Sequence, residues 1–441
     1  MNNVLYPLTY LGLCPFMIVL ARALQTQEAC QPTFLAATPA EAAFAMNNLP
    51  VESLVIGLAG NSSHGVDVLD ADEEYQSVYG FMKAKYGGSH PVWRQRVNAI
   101  YRLVERTVIE RKITMMILWN GNDCMGKVCQ ILAAKYDLKT VYLENGYFPN
   151  TLQIDPQGVN AEASIVNVPA REWLHGSSLA QPLAVVQKKN APIAPTTTVP
   201  LSFVQRMKLK LSAKLLPGFY DRYPELRDQK VKKQVQTPLE LSSTLRVLNK
   251  KKPFALVVLQ VHDDTQILLN SKLFNNPKDF LVHCYESVRN VYGPRYDIVV
   301  KLHPVDMDRI CYADMAATMH GVSWIGSEPV QPLLDECAFV MVVNSSVGLQ
   351  SIALHKPTLV FGESFYSRQE ICRVVKSVDQ TERHLNELKL GDSVVDSRAA
   401  DNFLAFLHAR YFVKGSWNLG RDSDLGPAVN RIHRILENSI N

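Results

Sequence analysis

Three stretches of the chain place reactive residue types at the ends of apolar runs. In Leu143–Ser164, LENGYFPNTLQIDPQGVNAEAS, the carboxylates Glu144 and Asp155 stand with Gln153, Asn160, Gly146 and Gly158 after a β-branched run. Two carboxylates converging on one cleft serve glycosyl chemistry, one as nucleophile and one as acid/base or electrostatic partner. A stretch rich in Gly, Asn and Asp is equally the composition of a plain turn. In Ile298–Pro304, IVVKLHP, a buried strand delivers Lys301 and His303 to its carboxyl end. Lys and His hold phosphate, and a protonated His assists its departure; a structural His at a strand end is the plainer alternative. In Val342–Leu349, VVNSSVGL, a strand runs into a helix, with Ser345 and Ser346 where N-terminal amides meet a phosphate or where serines act only as caps. Gly348 there gives room for a ligand. Gln260, His262, Asp263 and Asp264 end a further strand on the same rim. His262 has no second ligand at helical or strand spacing, so no metal is expected.

Absent motifs narrow the field. The chain has no GxGxxG after its first strand, no Walker A lysine loop, no HExxH and no GxSxG. Its 441 residues suggest two to three domains, with a composition of 47% hydrophobic and 20% charged residues. Mean hydropathy of -0.05 argues against a polytopic membrane protein. Eight cysteines without a CxxC pair read as reduced, mostly buried thiols. The N-terminus lacks a basic n-region and a small-residue cleavage site, and Arg22 interrupts the apolar run Leu11–Leu24, which reads as a core helix. A cytoplasmic location is expected.

The elements that must position these residues alternate along the chain. Apolar runs at Leu54–Leu58, Thr114–Trp119, Thr140–Glu144, Phe254–Val261, Tyr296–Leu302, Phe339–Val343 and Thr358–Phe361 read as strands. Helical patterns lie between them, at Pro91–Arg111, Gly126–Tyr136, Pro277–Val291, Met307–Met319 and Ser346–Leu354. The expected fold is α/β, with two doubly wound Rossmann-like domains facing across a cleft, at 1–186 and 253–379. Residues 187–252 form a Pro/Thr linker and a basic helical connector, and 380–441 form C-terminal helices. Arg206–Lys252 holds 13 Lys/Arg against 4 Asp/Glu, although the whole chain is only +4. Its leucines and aromatics suit an anionic lipid surface, or the segment is a solvated connector. Nucleic acid is not expected, since no binding motif accompanies the charge.

The HP at one strand end and the SS at another resemble CMP-sugar transferases of the two-domain GT-B architecture. Three blocks, ENGYFPNTLQIDPQGVNAEAS, FALVVLQVHDDTQI with KLHPVD, and VVNSSVGLQSIALHKP, resemble bacterial capsule polysaccharide synthesis proteins, specifically the KpsS-like retaining β-Kdo transferases. The resemblance spans about Trp119 to Gly362. It implies a cytoplasmic enzyme peripheral on the inner membrane, moving Kdo from CMP-β-Kdo to a glycan or glycolipid acceptor through a carboxylate nucleophile. By this resemblance Asp155 looks like the nucleophile, with Glu144 beside the reacting centre, although some relatives carry Glu at the Asp155 position. Lys301, His303, Asn344, Ser345, Ser346 and Gly348 look like the CMP-binding set, with Gln260 as a cytidine or sugar contact. Asn120, Gln153 and Asn160 fall to the sugar or acceptor loop. No cofactor beyond the donor is implied. A nucleotide-sugar epimerase of similar shape and a non-catalytic nucleotide-binding assembly factor are the alternatives.

Overall fold

The computed structural model describes residues 2–27, 30–57, 73–174, 198–226, 239–391, 396–419 and 424–438. Most of the expected Pro/Thr linker (188–197) and part of the basic stretch (227–238) lie outside the described residues. The chain divides into two units. One comprises Met1–Val159, Val186–Gln229 and Tyr411–Asn441; the other comprises Asn160–Val185 and Lys230–Arg410. The reading of 1–186 as one domain and 380–441 as a separate helical end therefore differs from the observed division, which passes 160–185 to the second unit and 411–441 to the first.

The strands are β1 (Asn2–Leu8), β2 (Cys30–Ala36), β3 (Leu54–Ile56), β4 (Met115–Trp119), β5 (Lys139–Asn145), β6 (Thr151–Asp155), β7 (Phe254–Val258), β8 (Asp297–Lys301), β9 (Val322–Ile325), β10 (Phe339–Val342), β11 (Thr358–Val360), β12 (Arg373–Val374) and β13 (Phe412–Lys414). In the first unit they run β13-β6-β5-β4-β1-β2-β3. β1 to β5 are parallel, while β6 returns antiparallel to β5 and β13 antiparallel to β6. Alternate residues feed two cores. Val4, Tyr6, Met115, Ile117, Val141 and Leu143 pack on one face, and Leu5, Leu35, Met116, Leu118 and Tyr142 on the other. A parallel sheet covered by helices on both faces accounts for the continuous apolar runs in the sequence.

The second unit is a wholly parallel sheet ordered β12-β11-β10-β7-β8-β9. β7, β8 and β10 are buried along their whole length. Helices follow β7 and β10, each opened by a side-chain cap: Asp264 accepts from the Gln266 N–H at 2.9 Å, and Ser345 from the Val347 N–H at 3.2 Å. Both units are thus doubly wound α/β layers of Rossmann type.

Two elements differ from the sequence reading. Residues 151–155 form strand β6 instead of a loop, because Leu152 and Ile154 have core positions to fill beside Leu143. The helix expected over Met307–Met319 is confined to Ala313–Thr318. His303 opens a single turn, Pro304–Asp306, and Arg309 is drawn sideways to Asp263 and Asp306 instead of continuing a helix. All eight cysteines are free thiols, seven of them buried. Among the described residues no helix is long and apolar enough to cross a membrane.

Candidate active site

In a doubly wound sheet the crevice lies at the carboxyl ends of the two strands from which the winding departs in opposite directions. In the second unit these are β7 and β10. Gln260, just past β7, and Asn344, just past β10, bind each other there. The Asn344 N–H donates to Gln260 Oε1 at 3.0 Å, and Gln260 Nε2 donates to Asn344 Oδ1 at 3.0 Å. Asn344 Nδ2 also donates to the Gln266 carbonyl at 2.8 Å. Both residues are buried. The two amides fasten the ends of β7 and β10 to each other.

Lys301 at the end of β8 is buried as well, and its ammonium donates to the carbonyls of Leu302 and Gly326. Burial lowers its pKa, with Glu328 opposing. It ties β8 to the end of β9. His303, two residues on, is only partly buried. Its Nδ1 accepts the Val305 N–H at 3.2 Å, which leaves the ring proton of the neutral imidazole on Nε2 as a donor. Desolvation lowers its pKa; Asp306 and Asp264 raise it, and Lys301 lowers it further.

The rim continues through two residues that the sequence reading did not single out, Asp306 and Arg309, which engage His262 and Asp263. Buried Asp306 accepts from the His262 N–H at 2.6 Å and pairs with His262 Nδ1 at 3.0 Å. Arg309 reaches Asp306 at 3.3 Å and Asp263 at 2.5 Å. The only local signal was the carboxylate three residues after the HP histidine, and nothing nearby in sequence indicated that His262 would meet it. Ser346 is exposed at the first turn of the helix Ser346–Ala353, while Ser345 is its cap. Gly348 has a packing reason: a Cβ there would meet the Tyr366 hydroxyl at 2.6 Å, and that hydroxyl donates to the Ser345 carbonyl at 2.5 Å.

In the first unit Glu144 lies near the carboxyl end of β5, partly exposed. Asn120, in the left-handed region at φ 41°, donates from Nδ2 to Glu144 Oε2 at 2.9 Å, and the Asn145 N–H donates to Oε1 at 2.7 Å. Both carboxylate oxygens are thus oriented. Asp155 does not join it. The antiparallel register sets Gln153 opposite Glu144 and Asp155 opposite Tyr142, down the strands from the carboxyl edge. Asp155 is fully buried and closes the turn after β6, accepting from the Gln157 N–H at 2.8 Å and the Gly158 N–H at 3.3 Å. Gln153, also fully buried, accepts from the Tyr411 hydroxyl at 2.8 Å and donates to the Asn145 carbonyl at 2.7 Å. Asn160 is buried in the second unit, at φ 57°. Among the described residues no group of three His, Cys, Asp or Glu is arranged to hold a metal ion.

Residues 114–404 match the family model described as capsule polysaccharide biosynthesis protein. Protein FixF of Sinorhizobium fredii is 25% identical over 323 residues, covering 69% of this chain and 61% of that protein. Capsule polysaccharide export protein KpsS of Escherichia coli is 26% identical over 120 residues, 26% of this chain and 31% of that one. The chain thus spans less than two thirds of the length of both relatives. Among solved structures, the KpsC β-Kdo 2,4 transferase of Thermosulfurimonas dismutans aligns with 73% of this chain and 87% of its own, at 16% identity and a TM-score of 0.40, too low for any argument about activity.

The lowered pKa of His303 has a defined sign. The folded state favours the neutral ring, so its stabilising contribution is complete above the unfolded value, about 6.5, and is lost as pH falls through the folded value. Urea unfolding of wild type and His303→Gln between pH 7.5 and 5 is expected to show a shallower acid loss in the variant. Parallel curves would contradict a lowered His303 pKa.

Proposed function

The chain belongs to the capsule polysaccharide biosynthesis protein family, and from that premise we propose that it is a glycosyltransferase moving Kdo, with retention, from CMP-β-Kdo to a glycan or glycolipid acceptor. The observation that carries this reading is His303, held as an Nε2–H donor at the end of β8, in the same unit as the exposed first turn of Ser346–Ala353. A leaving CMP carries a phosphate. A fixed N–H donor and helix N-terminal amides stabilise that charge without a metal. Lys301, Gln260 and Asn344 serve this edge by holding the strand ends in place.

The retaining reaction takes a carboxylate nucleophile. Of the two candidate carboxylates, Glu144 has solvent access and oriented oxygens, whereas Asp155 is enclosed in its turn. Glu144 attacks the anomeric carbon of Kdo, and the bond to the phosphate oxygen breaks with its electron pair leaving on CMP. The acceptor hydroxyl then displaces Glu144, losing its proton to solvent or a base, and two inversions give retention. Intact-mass spectra of enzyme incubated with CMP-Kdo and no acceptor are expected to gain one Kdo. The adduct should disappear in Glu144→Gln and survive in Asp155→Asn; the reverse pattern would return the nucleophile to Asp155.

The donor assignment has its own measurement. Calorimetric titration should find CMP bound in preference to UDP and GDP, and His303→Ala should weaken it by about 10–100-fold, the weight of a hydrogen bond to a charged group. Preference for UDP would favour an epimerase. A chain that binds CMP but transfers nothing to any acceptor would be an assembly factor.

The same reading places the protein at an anionic membrane surface. The helix Phe203–Leu215 rests on the first unit through Leu209 and through hydrogen bonds between Gln205 and Asn47. Phe203, Met207, Leu211 and Leu215, spaced four apart, are all exposed, Phe203 at 78%. Arg206, Lys208 and Lys210 are exposed beside them. An apolar stripe flanked by cations suits the headgroup boundary of anionic lipid. Vesicles containing phosphatidylglycerol should sediment the protein and phosphatidylcholine vesicles should not. Salt or the pair Phe203→Ser and Leu211→Ser should release it, and indifference to all three would make the segment a connector.

A further inference from the structure

The first unit has a switch point of its own, between β1 and β4, and the residues around it carry an anomaly. Thr38-Pro-Ala-Glu41 opens the helix Pro39–Asn48 with the spacing of a reciprocal cap, in which the Thr hydroxyl and Glu carboxylate each bind the other's backbone N–H. The cap does not form. Thr38 makes no side-chain cap bond, and Glu41 uses its carboxylate on its own backbone N–H. Among the described residues, Thr38 Oγ1 and Glu41 Oε2 are left buried without a hydrogen-bond partner. Asn122 Oδ1, at the start of the helix Cys124–Lys135 after β4, is in the same condition. Such an atom is destabilising when buried unsatisfied. None of the three residues is more than 5% exposed.

Two observations connect these atoms with each other and with Glu144. Glu41 interacts electrostatically with Asp123, the residue following Asn122, and with Arg96 and Glu225. The Asn122 N–H donates at 2.9 Å to Asn120 Oδ1, and Asn120 in turn orients Glu144. The charges around the orphans also define what fits. Arg96 is spent on Glu225, at 2.9 Å and 3.2 Å from Nε, and on the Ala37 carbonyl at 3.0 Å. An anion would therefore face Glu41, Asp123 and Glu225, with Arg96 engaged on Glu225 and the Lys85 ammonium engaged on the Asn122 carbonyl at 3.2 Å. A cation would face the positive ends of two helices. A neutral hydroxyl group, able to donate and accept, suits all three atoms.

We propose that Thr38, Glu41 and Asn122 bind hydroxyls of a neutral sugar, the acceptor of the transfer. Naming the sugar as acceptor rests on the glycosyltransferase reading; the hydroxyl site itself rests on the orphaned atoms. Burial raises the Glu41 pKa to about 7, helped by Glu225 and Asp123 and opposed by its own backbone N–H and by Arg96. Near neutrality the carboxyl can therefore accept from a sugar hydroxyl or donate to one. Glu225, in the segment Pro224–Leu226, is the group to be displaced for entry, since it reaches this position from the basic stretch.

Saturation-transfer NMR with methyl β-galactoside and methyl β-glucoside at millimolar concentration tests the site, alongside thermal melts and the CMP titration. Wild type should show transfer to at least one glycoside. Thr38→Val and Asn122→Ala should each abolish it, keep CMP affinity unchanged and raise Tm, by about 1–2 °C, because a buried polar atom without a partner has been removed. Absence of transfer in the wild type, transfer retained in both variants, or a fall in Tm for both would overturn the proposal, the last by pointing to atoms satisfied by structural water. Glycoside binding with no affinity for CMP would leave this site standing and remove the CMP-sugar reading.

Discussion

A parallel sheet wound outward in both directions from its centre leaves a gap above its two innermost strands that no crossover helix covers, and the sugar and nucleotide chemistry proposed for this protein depends on that gap. It occurs twice, above β7 and β10 and above β1 and β4. Strand carboxyl ends and helix N-termini collect there, so unpaired N–H groups, caps and polar side chains are gathered without any being close in sequence. In the second unit the gap is held at a set width by one pair of side chains. The reciprocal amide bonds of Gln260 and Asn344 fasten the two inner strands together just where they diverge.

That fastening explains a division of labour among the polar residues. A buried polar group is costly unless it is bonded, so the most enclosed ones, Gln260, Asn344, Lys301, Gln153 and Asp155, are those whose bonding capacity is turned inward. Groups nearer the surface are less enclosed: His303 with Nδ1 engaged, Ser346, and Glu144 with its oxygens oriented by Asn120. Thr38, Glu41 and Asn122 are among the groups that stay enclosed and, among the described residues, unsatisfied. A fold tolerates such groups where an occupant repays them.

Much of this is legible in the sequence. Continuous apolar runs identified the buried parallel strands, since a strand covered on both faces has no polar side to show. The rim stretches after β7, β8 and β10 could be located because Gln, His, Ser and Asp interrupt those runs abruptly. The β5–β6 hairpin was not legible. The run Thr151–Asp155 alternates polar and apolar residues beside Gly, Pro and Asn, which suits a loop as well as an edge-side strand. Only pairing with β5 and β13 made it a strand and carried Asp155 away from Glu144.

From the sequence alone came the class of fold, the strand ends that carry chemistry and the basic, leucine-bearing segment that includes Phe203–Leu215, because each is a local property of composition and period. Tertiary structure decided which of the reactive-looking residues are engaged in holding the framework and which are available. That decision turns on burial and on partners more than eighty residues distant, as with Gln260 and Asn344. It also decided that Gly348 makes way for Tyr366, that His262 rests on Asp306, and that the Thr38–Glu41 cap stays open. Residue type sets what a side chain is able to do, but the free energy of leaving its polar atoms bonded or bare depends on neighbours that only the folded chain brings near.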